Sequence, residues 1–75
     1  MQGRVTSRDM ALRRAVYAEY AKATACVELG GDMLPEALRL GREALRLSEG
    51  IEKPTQEDRQ LRRELRALLA AEGRK

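Results

Sequence analysis

"GGDMLPEALRLGREALRLSEG", residues 30–50, reads as one helix whose apolar residues cover about half of its circumference. Leu34, Leu38, Gly41, Leu45 and Ser48 form one stripe at helical spacing. Met33, Ala37, Leu40, Ala44 and Leu47 form a second, about 100° away. A helix lying against a single neighbour needs one stripe, so this segment asks for two neighbours. The flanking sequence supplies them. Upstream, Leu12, Val16, Tyr20, Ala23 and Val27 follow one another at i, i+4, i+8, i+11 and i+15; downstream, Leu61, Leu65, Leu68 and Leu69 share a helical face.

The boundaries follow from local backbone chemistry. Thr6 or Ser7 can cap the first helix, and Thr6 with Asp9 has the spacing of a capping box. Gly30-Gly31 ends that helix, because glycine enters the left-handed region without steric cost. Asp32 is a suitable cap for the second helix, with Pro35 in the first turn, where no intrahelical N–H is needed. Gly50 follows its end. Thr55 with Asp58 makes a second capping box, and Gly73 follows the end of a third helix. No segment alternates with period two. The sequence therefore predicts an all-α antiparallel three-helix bundle, with helices over about 8–29, 33–49 and 56–72 and the central helix between the other two. Residues 1–75 form one domain in this reading, with 1–6 and 73–75 as flexible ends. Leu38 and Leu45 are expected to be nearly fully buried, and Gly41 and Ala44 to let a facing helix approach closely.

At 75 residues a single core is close to the smallest that offsets the entropy of ordering. The usual staples are missing: Cys26 has no second cysteine to pair with, and there is no histidine to complete a zinc site. No cofactor or metal is expected. An apolar run of the ~20 residues needed to span a bilayer is absent, and "MQGRVTSRDM" lacks the apolar core of a signal peptide, so the expected location is cytoplasmic and no membrane partner is predicted. Catalysis is not expected either. There is no histidine for proton transfer near neutral pH and no Gly-rich phosphate loop beyond Gly30-Gly31, and the carboxylates are scattered among arginines that can neutralise them, as in Glu36 with Arg39 and Glu43 with Arg39 or Arg46.

The net charge of +3 is unevenly spread. Residues 1–14 and 53–75 are basic and residues 15–52 acidic, which favours head-to-tail attraction between copies or an acidic partner at the ends. Two surfaces are candidates for recognition. The first is a stripe on helix 1, Ala11, Ala15, Ala18, Ala25 and Leu29, interrupted by Lys22 and with Tyr17 beside it, suited to a close helix–helix seam with another protein or a second copy. Of Tyr17 and Tyr20, one is expected in the core and the other at an interface. The second surface is Arg59, Arg62, Arg63 and Arg66 at i, i+3, i+4 and i+7 on helix 3, suited to an anionic partner. Glu57 and Asp58 oppose a phosphate at that helix start, and no aromatic is interleaved to stack bases, so nucleic acid is the alternative and protein the expected partner. Cys26 projects toward Lys22, on the polar side of helix 1, and reads as a structural or incidental thiol rather than a reactive one.

The segment "ELGGDMLPEALRLGREALRL" resembles the helix-turn-helix of a tetratricopeptide repeat. Ala37 and Ala44 match its alanines seven residues apart, and Leu29, Gly31 and Asp32 resemble its turn. With the third helix, "EDRQLRRELRALLAAEGRK", the chain also resembles the microtubule-interacting-and-transport domain, a three-helix bundle of similar length. Helix 1 is longer than the first helix of such a repeat, Gly41 stands where a large aromatic is usual, and Glu49 stands where a proline ends the repeat. Both families bind helices or peptides of other proteins. The resemblance implies a small adaptor of that type.

Overall fold

The computed structural model describes residues 7–73. The remainder of the expected flexible ends, 1–6 and 74–75, lies outside the described residues, as does Thr6 of the first expected capping box. Three helices make up the fold: α1 (Ser7–Leu29), α2 (Leu34–Glu49) and α3 (Gln56–Gly73), with one 3-10 turn, Gly31–Met33, before α2. Gly73, expected in the tail, closes α3.

Gly30 and Gly31 take φ of 67° and 54°, the left-handed backbone that ends α1 and reverses the chain. The expected cap at Asp32 does not form. Asp32 lies within the 3-10 turn, Met33 occupies the cap position of α2, and no side chain bonds there. The tight turn itself consumes the residue that would have capped, because Met33 N–H donates to the Gly30 carbonyl at 3.0 Å. Pro35 is in the first turn of α2, as expected. At α3 the capping box closes in both directions: Asp58 N–H donates to Thr55 Oγ1 at 3.2 Å, and Thr55 N–H donates to Asp58 Oδ2 at 2.8 Å.

The central helix contacts both others. Leu12 meets Gly50, Val16 packs in a cluster with Ala44, and Ala23 and Cys26 with Ala37 and Leu40, so numbers rise along α1 as they fall along α2. Ser48 receives Arg62, Ala44 clusters with Leu65, and Gly41 lies against Leu69, so α2 and α3 also run in opposite senses.

The buried line of α2 is not the leucine stripe. Ala37, Leu40, Gly41, Ala44 and Ser48 are buried, while Leu38 and Leu45 are only half-buried, which corrects the expectation for both leucines. Ala37, Gly41, Ala44 and Ser48 follow one another at i, i+4, i+7 and i+11, along the seam where the two apolar stripes meet. Small residues in the centre bring α1 and α3 close, and the leucines fall to the flanks, where two neighbours cover them partly. Cys26 is likewise corrected. It is buried with Ala23, Ala37 and Leu40, because small Ala37 and Ala23 leave room for a thiol between α1 and α2.

A Cβ on Gly41 would stand 3.1 Å from Leu69 Cδ2 and 3.5 Å from Leu68 Cδ2. Gly41→Ala should be close to neutral, since a gain of ~1 kcal/mol in helix propensity offsets a contact that the end of Leu69 can relieve. Gly41→Leu should cost ~1–3 kcal/mol by forcing α3 outward. Urea midpoints of the two variants check this ordering.

Candidate protein interface

Two largely buried polar contacts orient α1 against the α2–α3 connection and the start of α3. Asp9 is fully buried, and its carboxylate accepts the backbone N–H groups of Glu52 at 3.0 Å and Lys53 at 3.1 Å. These bonds, the Glu52 N–H foremost, hold its pKa below the usual carboxylate value against the opposing effect of burial. Arg13 donates through Nε and Nη2 to both oxygens of Asp58, at 2.8 and 2.5 Å, so a fork-to-carboxylate pair joins α1 to the start of α3. The Asp58 side chain is 2% exposed and that of Arg13 21%. The guanidinium beside it, together with the Thr55 N–H, lowers Asp58 from 3.8 to about 2, although burial works the other way. Asp58 was legible as a capping residue, and Asp9 was expected to be one; the contacts of both 43 to 45 residues away in the chain were not legible.

This clamp fixes which side of α1 is turned outward. Val16, Ala23 and Cys26 face the core, and Tyr20 packs partly against it, with its hydroxyl donating to Glu64 Oε1 at 2.9 Å. That carboxylate and partial burial push the Tyr20 phenol up. The opposite side of α1 is covered by neither α2 nor α3. Ala11, Ala18 and Ala25 are exposed there, Ala15 is half-buried, and Tyr17 is 42% exposed. Met10 at 43% and Leu29 at 73% add large apolar side chains near its two ends. The helical spacing of Ala11, Ala18, Ala25 and Leu29 signals this face in sequence; Met10 lies outside that stripe.

Tyr17 stands between two depressions. Met10, Arg13 and Arg14 line an open groove on one side of it. Tyr20, Glu57, Gln60, Leu61 and Glu64 line a cleft on the other, along the α1–α3 seam.

The four arginines of α3 do not act as one stripe. Arg62 is half-buried and turned to the end of α2, donating through Nη2 to the Ser48 carbonyl at 2.9 Å, a favourable place for a cation because the last carbonyls of a helix carry partial negative charge. Arg63 donates to Gln60 Oε1 at 2.9 Å, which leaves Arg59, Arg63 and Arg66 exposed on the outside. On α2, Arg39 pairs with Glu36 and Arg46 with Glu43, both between exposed or half-exposed side chains. Among the described residues no group of three or more His, Cys, Asp or Glu is placed to hold a metal ion, and no helix is long and apolar enough to cross a membrane.

Compared with protein-family models, curated proteins and solved structures, the chain finds a match in none of the three.

Proposed function

We propose that the chain is a small non-catalytic interaction module that binds protein through the outward face of α1. The observation that carries this reading is the exposure of Met10, Tyr17 and Leu29 along one helix, beside Ala11, Ala18 and Ala25. Singly exposed apolar residues are ordinary; several on one uncovered helix, beside small residues, give a partner helix both close approach and large contact area. Tyrosine at the centre suits it further, since its ring contributes apolar area while its hydroxyl stays hydrated. The polar contacts of Asp9 and Asp58 support the same reading, because both carboxylates are spent on holding the three helices together.

A photo-crosslinking amino acid placed at Ala18 and, separately, at Ala70 on the exposed side of α3 tests the face in the cells that make the protein. Protein adducts are expected from position 18 and not from position 70. Tyr17→Glu in the same chain should remove them while helix content measured by circular dichroism stays within a few per cent, since surface changes of this kind cost within about 0.5 kcal/mol. Equal adduct formation at both positions, or none at position 18, defeats the reading.

A further inference from the structure

We propose that the occupant of the α1 face is a second copy of this chain, joined about a two-fold axis over Tyr17, with Arg14 of each copy paired to Glu57 of the other; this rests on the interaction reading above and specifies its partner. The two depressions beside Tyr17 carry opposite charge. In the groove formed with Met10, the charge of Arg13 is already taken by Asp58, whereas exposed Arg14 has no ion pair or hydrogen bond among the described residues. In the cleft on the α3 side, Glu64 accepts from Tyr20 at one oxygen and from Gln60 at the other, at 2.9 and 3.3 Å. Glu57, at the rim of the same cleft, is exposed and has no partner among the described residues.

A patch with a lone cation on one side of a central ring and a lone carboxylate on the other is self-complementary. Two-fold rotation about an axis in the contact plane lays the groove of each copy on the cleft of the other. Opposite charges then meet twice, like charges stay apart, and the two Tyr17 rings approach at the axis. Met10, 43% exposed, is carried to the apolar floor that Tyr20 and Leu61 give the cleft. An acidic partner helix would meet Arg14 but be repelled by Glu57 and Glu64; a basic one would meet the reverse. A second copy satisfies both halves at once, and an isologous contact closes at two subunits.

Sedimentation of the chain from about 1 µM to about 1 mM tests this, a range that spans weak to moderate association. The expected result is reversible conversion to twice the chain mass. Arg14→Glu and Glu57→Arg should each weaken association roughly tenfold or more, because each reversal places two like-charge contacts in the symmetric dimer. An equimolar mixture of the two variants should regain a dimer with one copy of each. In that pairing one contact is native and the other has its charges exchanged, so recovery also shows that neither variant failed by misfolding. The variant carrying both substitutions should dimerise by itself. A chain monomeric throughout, or reversals that leave association unchanged, overturns the second copy as partner; so does a mixture no tighter than its components. Cross-links from position 18 to other proteins would then leave the interaction reading standing, and their absence would remove both.

Discussion

Asp58→Ala should remove a large part of the chain's stability, and all of it if the parent lies at the low end of the range for its length. The substitution removes the carboxylate that Arg13 holds through Nε and Nη2 and strips α3 of its capping box. Taking one partner from a largely buried ion pair costs about 3–5 kcal/mol, most of it the penalty of the stranded charge, and loss of a cap adds about 1 kcal/mol. At ~0.05–0.15 kcal/mol per residue a chain of 75 residues has ~4–11 kcal/mol in total, so this one change consumes a large part of it. Arg13→Ala together with Asp58→Ala should cost less than the two single losses added, since no charge is stranded in the double variant. Denaturant midpoints of the three chains decide it; costs that simply add would mean that the pair is not coupled.

The same pair makes stability depend on acid. The folded carboxyl titrates at about 2 and the ordinary value is 3.8, so above 3.8 Asp58 is ionised in both states and its stabilisation is fully present. As the pH falls from there toward 2, the unfolded chain takes up the proton before the folded one does, and the stabilisation of about 2 kcal/mol disappears. The melting temperature of the parent should fall across that window more steeply than that of Arg13→Ala, in which the largest cause of the lowered value is gone. Parallel slopes would locate the acid sensitivity elsewhere.

What could be read from the sequence was what the chain fixes locally. Gly30-Gly31 and the Thr55–Asp58 box act over three or four residues, and the structure ends α1 and begins α3 there. The number of helices and the central place of α2 followed from two apolar stripes, a property of one helix. Everything that depends on how one helix is rotated against another was less legible. Projection put Cys26 beside Lys22 on a polar side, but the facing alanines of α2 draw that side inward. A leucine looks more buried than an alanine on any hydrophobicity scale, yet the line of α2 that both neighbours approach runs along its smallest residues, so Leu38 and Leu45 moved to the flanks. Arg62 belonged to a stripe in projection and to the end of α2 in space. The α1 face behaved differently, because exposure needs no partner to be specified: Ala11, Ala18 and Ala25 lie outward as their spacing implies. The charges flanking Tyr17 come from two helices and needed the packing of α3 on α1 to be seen.

Leu65→Ala should be the most costly aliphatic truncation in the chain. Leu65 is 0% exposed and the largest of the fully buried side chains, packed with Val16, Ala44 and Leu61 where all three helices meet. Shortening it removes the transfer energy of its methyls and opens a cavity that its neighbours cannot fill, since Ala44 has nothing to extend and Val16 is stiff at its first torsion. The expected cost is ~2–5 kcal/mol. Leu45→Ala, from a half-buried flank, should cost about 1–2 kcal/mol, because part of that side chain is already in water in the folded state. The order matters more than either value, since it reports which residue of the α2–α3 seam is central. Native-state hydrogen exchange adds the spatial test: in Leu65→Ala the amides of α3 should lose protection before those of α1, because α3 is held to the rest through Leu61, Leu65 and the Asp58 clamp. If Leu45→Ala proves the costlier of the two, α3 is rotated from the position described. The cleft that sets Glu57 beside Tyr17 would then not exist as drawn, and the charge pattern argued for self-association would lose its acidic half.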